Sequence, residues 1–279
     1  MAEFRGFGGA ALVTGATSGI GLELARLLAA RGMHLILVAR SAENLRILAN
    51  KLAQSHRIRA VSVPMDLSRP DAAARLVEAL RGIDLTVDLL VNNAAFGTYG
   101  PFADQGAARE AEMIRLNVSL PTELTALFLP GMIRRKRGVV LNVASTAGFA
   151  PVPWMGTYAA TKAYLISWTH SLATELAGTG VQVAALCPGS TATNFHAVSG
   201  AAGRRPRTGP QQTASQVAEE CLRGLDRKQR IIVTGGVNRL HAHLFRVLPP
   251  SWASRLADVF QRPGAARVGA TGETSVRAT

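Results

Sequence analysis

The sequence predicts an α/β fold: a single doubly wound domain on a seven-stranded parallel sheet. Three observations predict it. Short β-branched apolar runs recur along the chain, longer helix-period segments separate them, and a glycine-rich turn joins the first run to the first helical segment. Continuous apolar runs suit strands buried on both faces, and strict alternation with helices requires crossovers that leave the strands parallel.

The elements follow in order. "AALVTG" (10–15) is the first strand, and "VTGATSGIG" carries the chain from it into a helix at 19–31. "LILVA" (35–39), "AVSVP" (60–64) and "DLLVN" (88–92) are the next strands, with helices expected at 42–56 and 70–82 between them. A long helix over 106–134 precedes "GVVLNV" (138–143), and one over 157–178 precedes "VQVAALC" (181–187). A helix at 213–226 leads to the seventh strand, "RIIVTG" (230–235). Residues 1–235 therefore read as the main domain.

Beyond it, 236–262 reads as an amphipathic helical extension of the same domain. Val237, Leu240, Leu244, Val247 and Leu248 form one stripe, Pro249 and Pro250 break it, and Trp252, Leu256, Val259 and Phe260 form a second, with Ser251 as N-cap. These stripes are expected to pack on the domain or on a second subunit. Peripheral contact of 237–262 with an anionic membrane is the alternative. Residues 263–279 are small, polar and aperiodic, and are expected to be disordered.

At 279 residues, 48% of them hydrophobic, the chain can bury a full core. No apolar run approaches the ~18 residues of a spanning helix, and the first residues lack the pattern of a secretory leader. Cys187 and Cys221 read as reduced core thiols, with no metal-ligand spacing around them. A cytoplasmic protein, with membrane association left open, is the expectation. The net charge of +13 is uneven: residues 204–279 carry 13 Arg and Lys against five Asp and Glu. These cations are scattered arginines without aromatic interleaving, which argues against nucleic-acid binding.

The chemistry starts at the first turn. Gly15, Gly19 and Gly21, with Thr17, Ser18 and Ile20 among them, make G-x-x-x-G-x-G between a strand and a helix, a Rossmann-type dinucleotide loop. The glycines allow a tight turn and close backbone approach to a pyrophosphate, and the helix N-terminus supplies N–H groups. The second strand ends in Ala39 and Arg40, where a free ribose hydroxyl would be met by a carboxylate. A guanidinium suits a 2′-phosphate, so NADP(H) is favoured and NAD(H) stays open. Tyr158 and Lys162, four apart on a helix, share one face. An ammonium beside a phenol is expected to lower its pKa toward neutrality.

Together, "TGATSGIG" (14–21), "DL" (66–67), "NNAA" (92–95), Asn117, Ser145, "YAATK" (158–162) and "PGSTAT" (188–193) resemble the short-chain dehydrogenase/reductase family over about residues 9–235. The resemblance implies that Asp66, with Leu67, meets the adenine and that Asn93 and Ala94 line the dinucleotide. It places Pro188, Gly189, Thr191 and Thr193 at the nicotinamide end. Lys162 would bind ribose hydroxyls, Tyr158 act as general acid/base, Ser145 hold the substrate oxygen, and Asn117 hold a water. It also implies a homodimer or homotetramer built on 106–134 and 157–178. Ala95 stands where the family usually has glycine.

The segments expected at the substrate, 94–102, 145–157 and 193–200, contain no Lys, Arg, Asp or Glu. Phe96, Tyr99, Phe149, Trp154, Met155 and Phe195 point to an apolar pocket for a hydrophobic ketone or aldehyde and its alcohol. Arg204, Arg205 and Arg207 could meet a phosphopantetheine or coenzyme A arm, which makes a 3-oxoacyl thioester the alternative substrate. A catalytically silent dinucleotide sensor or scaffold is the third reading, and a complete Asn–Ser–Tyr–Lys set argues against it.

Overall fold

Alternation dictates the architecture. The computed structural model describes residues 8–193 and 211–261. Strands β1 (Ala10–Thr14), β2 (His34–Ala39), β3 (Ala60–Pro64), β4 (Val87–Asn92), β5 (Gly138–Val143) and β6 (Val181–Cys187) carry the apolar runs. Two short strands that the sequence did not signal, β7 (Thr191–Ala192) and β8 (Gln212–Thr213), pair with each other, and β9 (Ile231–Val233) closes the main sheet. That sheet has the order β3-β2-β1-β4-β5-β6-β9, with every pair parallel. The chain winds outward to β3 and then crosses back to β4 beside β1. This reversal leaves a crevice at the C-terminal ends of β1 and β4, the usual ligand position in open sheets.

Nine helices flank the strands among the described residues: α1 (Gly19–Ala30), α2 (Ala42–His56), α3 (Ala72–Ala79), α4 (Ala107–Ile114), α5 (Leu120–Arg134), α6 (Gly156–Glu175), α7 (Ala214–Asp226), α8 (Gly236–Val247) and α9 (Pro250–Gln261). Along β1, Ala11 and Val13 join Leu24, Leu45 and Val217 of the α1–α2–α7 layer. Ala10 and Leu12 join Leu76, Leu124 and Met132 of the opposite layer. The one carboxylate in β4, Asp88, is fully buried and is met by Arg137 at 2.9 Å and Arg135 at 3.6 Å.

The expected helix over 106–134 is not uniform. Between α4 and α5 the chain makes a π turn over Arg115–Ser119, closed by the Leu120 N–H on the Arg115 carbonyl. The wider turn carries Asn117, which is buried.

Of the contacts expected for the C-terminal helices, packing of the large stripes on the domain is not found among the described residues. The small residues Ala242, Ala253 and Ala257 are their buried positions. The large stripe residues Val237, Leu240, Val247, Trp252 and Val259 lie on the outside, between 57% and 80% exposed. Periodicity found the stripes but not their direction. The tail 263–279 lies outside the described residues.

Candidate active site

The glycine turn is fastened from beneath. The buried Thr14 hydroxyl donates to the Val91 carbonyl and accepts from the N–H groups of Asn93 and Ala94 at 2.9 and 3.0 Å. The Asn93 amide then donates to the Thr14 and Gly15 carbonyls at 2.7 and 3.2 Å. Thr14 had no sequence signal beyond its place before the glycines. Gly15 and Gly19 adopt φ +67° and +55°, the left-handed region that favours glycine. A Cβ at Gly15 would meet the Asn93 amide, and one at Gly19 would meet the Thr193 methyl at 3.1 Å. Ser18 occupies the N-cap of α1 without a side-chain hydrogen bond, and the first turn holds no acid. The uncapped N–H groups and the side-chain-free cradle fit the phosphates of a dinucleotide. Leu67 is buried in one core layer, and Ile20 is partly buried against the other.

At the ends of β2 and β3, Arg40 and Asp66 are both exposed. Asp66 accepts from the Ser68 N–H and hydroxyl at 3.1 and 2.9 Å. Those bonds hold its carboxyl below the ordinary range, with smaller help from the positive charges of Arg40 and Arg69.

The catalytic candidates converge from α6, the π turn and the loop after β5. Tyr158 is buried, packed with Phe96 and Met113 and flanked by Met155. The Ser145 side chain hydrogen-bonds its phenol, and the Ser145 hydroxyl also accepts from the Ala147 N–H at 3.1 Å. Lys162, one turn on, is buried with its Nζ donating to the Val143 carbonyl at 2.8 Å and lying 5.7 Å from the Tyr158 ring centre. Its pKa is pushed down to about 8 by burial.

The phenol departs from expectation. Burial pushes Tyr158 up to about 12, and the Ser145 bond only partly opposes this. Spacing along a helix gives proximity, but the desolvation that dominates here is a tertiary property.

Asn117 locks the arrangement. Its amide donates to the Phe96 carbonyl at 2.9 Å and the Thr161 hydroxyl at 3.1 Å, and its oxygen accepts from the Phe96 N–H. Thr161 in turn donates to the Tyr158 carbonyl at 2.7 Å. With the side chain so engaged, the Asn117 backbone carbonyl lacks the usual helical donor four residues on. Pro121, four residues on, has no N–H to bond that carbonyl. Neither Thr161 nor Pro121 was legible as part of the site.

Beyond β6, the Pro188 carbonyl accepts from the Thr146 N–H, which ties this strand end to the Ser145 loop. The Thr191 hydroxyl donates to the Gly189 carbonyl at 3.0 Å. A side chain at Gly189 would collide with Asn238 of α8.

The apolar candidates divide. Phe96 and Met155 gather at Tyr158. Tyr99 and Trp154 belong to facing loops joined by the Gly100 N–H on the Trp154 carbonyl at 2.9 Å. Trp154 has φ +69°, and its indole donates to Asp258 of α9 at 2.8 Å. Phe149 packs instead with Leu165, Ile166 and Cys187, beneath the Arg246 guanidinium. Phe195, Arg204, Arg205 and Arg207 lie outside the described residues.

Known proteins share this frame. Ketoacyl reductase HetN of Nostoc is 35% identical over 64% of this chain and 62% of its own length. The very-long-chain 3-oxoacyl-CoA reductase of Phaeosphaeria nodorum is 36% identical over 66% of this chain and 55% of its own. The chain thus spans little more than half the length of these relatives. Among solved structures, a short-chain dehydrogenase from Sphingobium yanoikuyae in complex with NADPH superposes with a TM-score of 0.76 at 30% identity, covering 93% of this chain and 99% of that one. A bulky-bulky ketone specific alcohol dehydrogenase from Comamonas testosteroni gives 0.72 at 28% identity, over 86% and 95%. Residues 9–202 match the short chain dehydrogenase family, and with the glycine cradle and the Ser–Tyr–Lys cluster in place, the chain belongs to that family.

Proposed function

We propose that the protein is an NADP(H)-dependent oxidoreductase that interconverts a carbonyl and its alcohol on a large apolar substrate. A long-chain 3-oxoacyl thioester is the favoured case. One observation carries the reading: Tyr158, hydrogen-bonded to Ser145, packs with Phe96, Met113 and Met155, and Lys162 lies one turn on. The names of the curated relatives support the thioester over other apolar carbonyls.

When bound, the reduced dinucleotide supplies the hydride. The chain's own residues do the rest. Gly15, Gly19 and Gly21, with the first turn of α1, hold the phosphates. Arg40 pairs with the 2′-phosphate, and Asp66 and Asn93–Ala94 flank the adenosine side. Pro188, Gly189, Thr191 and Thr193 border the other end. Tyr158 keeps its proton throughout the neutral range, because burial raises its pKa. It can therefore donate to the substrate oxygen during reduction. Ser145 orients that oxygen. Lys162 holds the ribose hydroxyls, and a water on the Asn117 carbonyl returns a proton from solvent. Exposed Ile114 and Leu127 on α4 and α5 support the expected dimer or tetramer.

Absorbance loss at the reduced nicotinamide band, with long 3-oxoacyl thioesters and bulky ketones run beside short polar ketones, tests the substrate class. Turnover confined to polar substrates overturns it. In the same assay Arg40→Ala should weaken NADPH about 10–100-fold and leave NADH nearly unchanged, as loss of charge-assisted bonds to a phosphate requires. Equal losses would remove Arg40 from that role.

Lys162 also sets a pH dependence. Its pKa in the fold, about 8, lies below the ordinary 10.5. The amine is charged below that point and neutral above it. NADPH affinity is therefore expected to fall as pH rises through about 8, and Lys162→Met should be weak and flat across the same range. Fluorescence titration at several pH values measures both.

A further inference from the structure

We infer that the outer face of α8 and α9 seats on an anionic phospholipid bilayer. An amphipathic helix in a folded protein ordinarily turns its large apolar stripe inward. Here the arrangement is inverted. Val237, Leu240, Leu244 and Val247 run along α8 at helical spacing and are all exposed, and Trp252 and Val259 are exposed on α9. The helices hold this attitude through contacts on their other side. Ala242, Ala253 and Ala257 are buried, the Asn238 amide donates to the Thr234 carbonyl at 2.8 Å, and Asp258 accepts from Trp154. Contiguous exposed apolar surface of this kind marks a contact with something else.

Charge decides what. Arg239, Arg246 and Arg255, with His241 and His243, are the titratable groups on these helices apart from Asp258. Asp258 is engaged by the Trp154 indole. A cleft of about 550 Å³ beside α8 brings in Arg223 and Arg227 next to Arg239, His243 and Arg246. Its one carboxylate, Glu220, already pairs with Arg239 at 2.9 Å. Glu219, near the same end of α7, stands 3.8 Å from Arg223. A second copy of the chain is a poor occupant, because a two-fold interface would set this cationic face against itself. An anionic bilayer answers both properties. The apolar stripe enters the acyl boundary, exposed Arg227 and Arg255 reach the phosphate layer on their flexible stems while Arg239 and Arg246 stay on the domain side against Glu220 and Phe149, and Trp252 takes the interfacial position that tryptophan favours. No described helix is long and apolar enough to cross a membrane, so the contact lies in the surface plane.

The test uses the full chain and two vesicle preparations, phosphatidylcholine alone and phosphatidylcholine with phosphatidylglycerol. The protein should sediment with the anionic vesicles and not with the neutral ones, and added salt should weaken binding. Its tryptophan emission should shift to the blue, and Trp252→Phe should abolish most of that shift. A Leu240→Glu, Val247→Glu double variant alters only exposed positions and should keep its melting temperature. It should lose about tenfold or more of its vesicle affinity, since two apolar anchors are removed. Failure to bind anionic vesicles, or undiminished binding by the double variant, overturns the inference. So does conversion of a dimer to a monomer by that variant without lipid, which would mean that a second copy covers the face. None of these readings depends on turnover, so they stand apart from the proposed reaction.

Discussion

Replacing Tyr158 with phenylalanine is expected to lower kcat for carbonyl reduction by about 10²–10⁴-fold, the usual contribution of a positioned general acid. NADPH affinity and the melting temperature should stay close to those of the unaltered protein. The ring is buried against Phe96 and Met113, and a phenyl group preserves that packing. Only the hydroxyl is lost, leaving Ser145 without one partner, a cost of about 1 kcal/mol. The effect therefore separates chemistry from folding. Single-turnover reduction with saturating NADPH, alongside thermal unfolding, measures both. Turnover at the original rate in the phenylalanine variant would mean that another group delivers the proton.

The second large effect is expected at Gly21. A Cβ there would sit 2.5 Å from the Gly15 carbonyl oxygen and would also strike the Asn93 amide. Both groups are backed by the turn itself, since that amide donates to the Thr14 and Gly15 carbonyls. Neither can withdraw without releasing those bonds. Gly21→Ala should therefore cost about 1–3 kcal/mol from overpacking, plus the loss of at least one buried hydrogen bond. For a chain of this size, that lowers Tm by about 5–10 °C. NADPH binding should be lost altogether, because the displaced turn is the phosphate cradle. Gly106→Ala is the control. Nothing lies within 4 Å of a Cβ at that position, and its φ of −70° suits alanine.

The fold was readable because each strand of the main sheet is an apolar run that no helix pattern competes with. β3, β5 and β6 begin and end where the runs do. The glycine turn was readable because its residues are consecutive and each has a backbone reason to be glycine. What escaped the sequence was interaction across distance. Asn117 could be picked out, but its π turn, and the pairing of its amide with Phe96 and Thr161, depend on how three segments meet. The Tyr158–Lys162 spacing was plain, yet the depth of burial that sets both pKa values is invisible in a pentapeptide. The C-terminal stripes were found by period, but not whether they meet the domain, a second copy or a membrane, because a repeat says which residues share a face and not what that face meets. The partner of Trp154 lies 104 residues away, with no local pattern to mark it.

That last pairing has a mechanical meaning. Trp154 keeps a left-handed backbone, uncommon for a bulky residue, directly before Met155 and the helix that carries the Tyr158 phenol. Its indole is moored to α9, the helix that carries Trp252 and Val259 on its outer surface. A tilt of that helix would pull on the segment leading to the phenol through one short strut. Where the molecule rests and how wide its reaction chamber stands would then be a single adjustment, made with one bond.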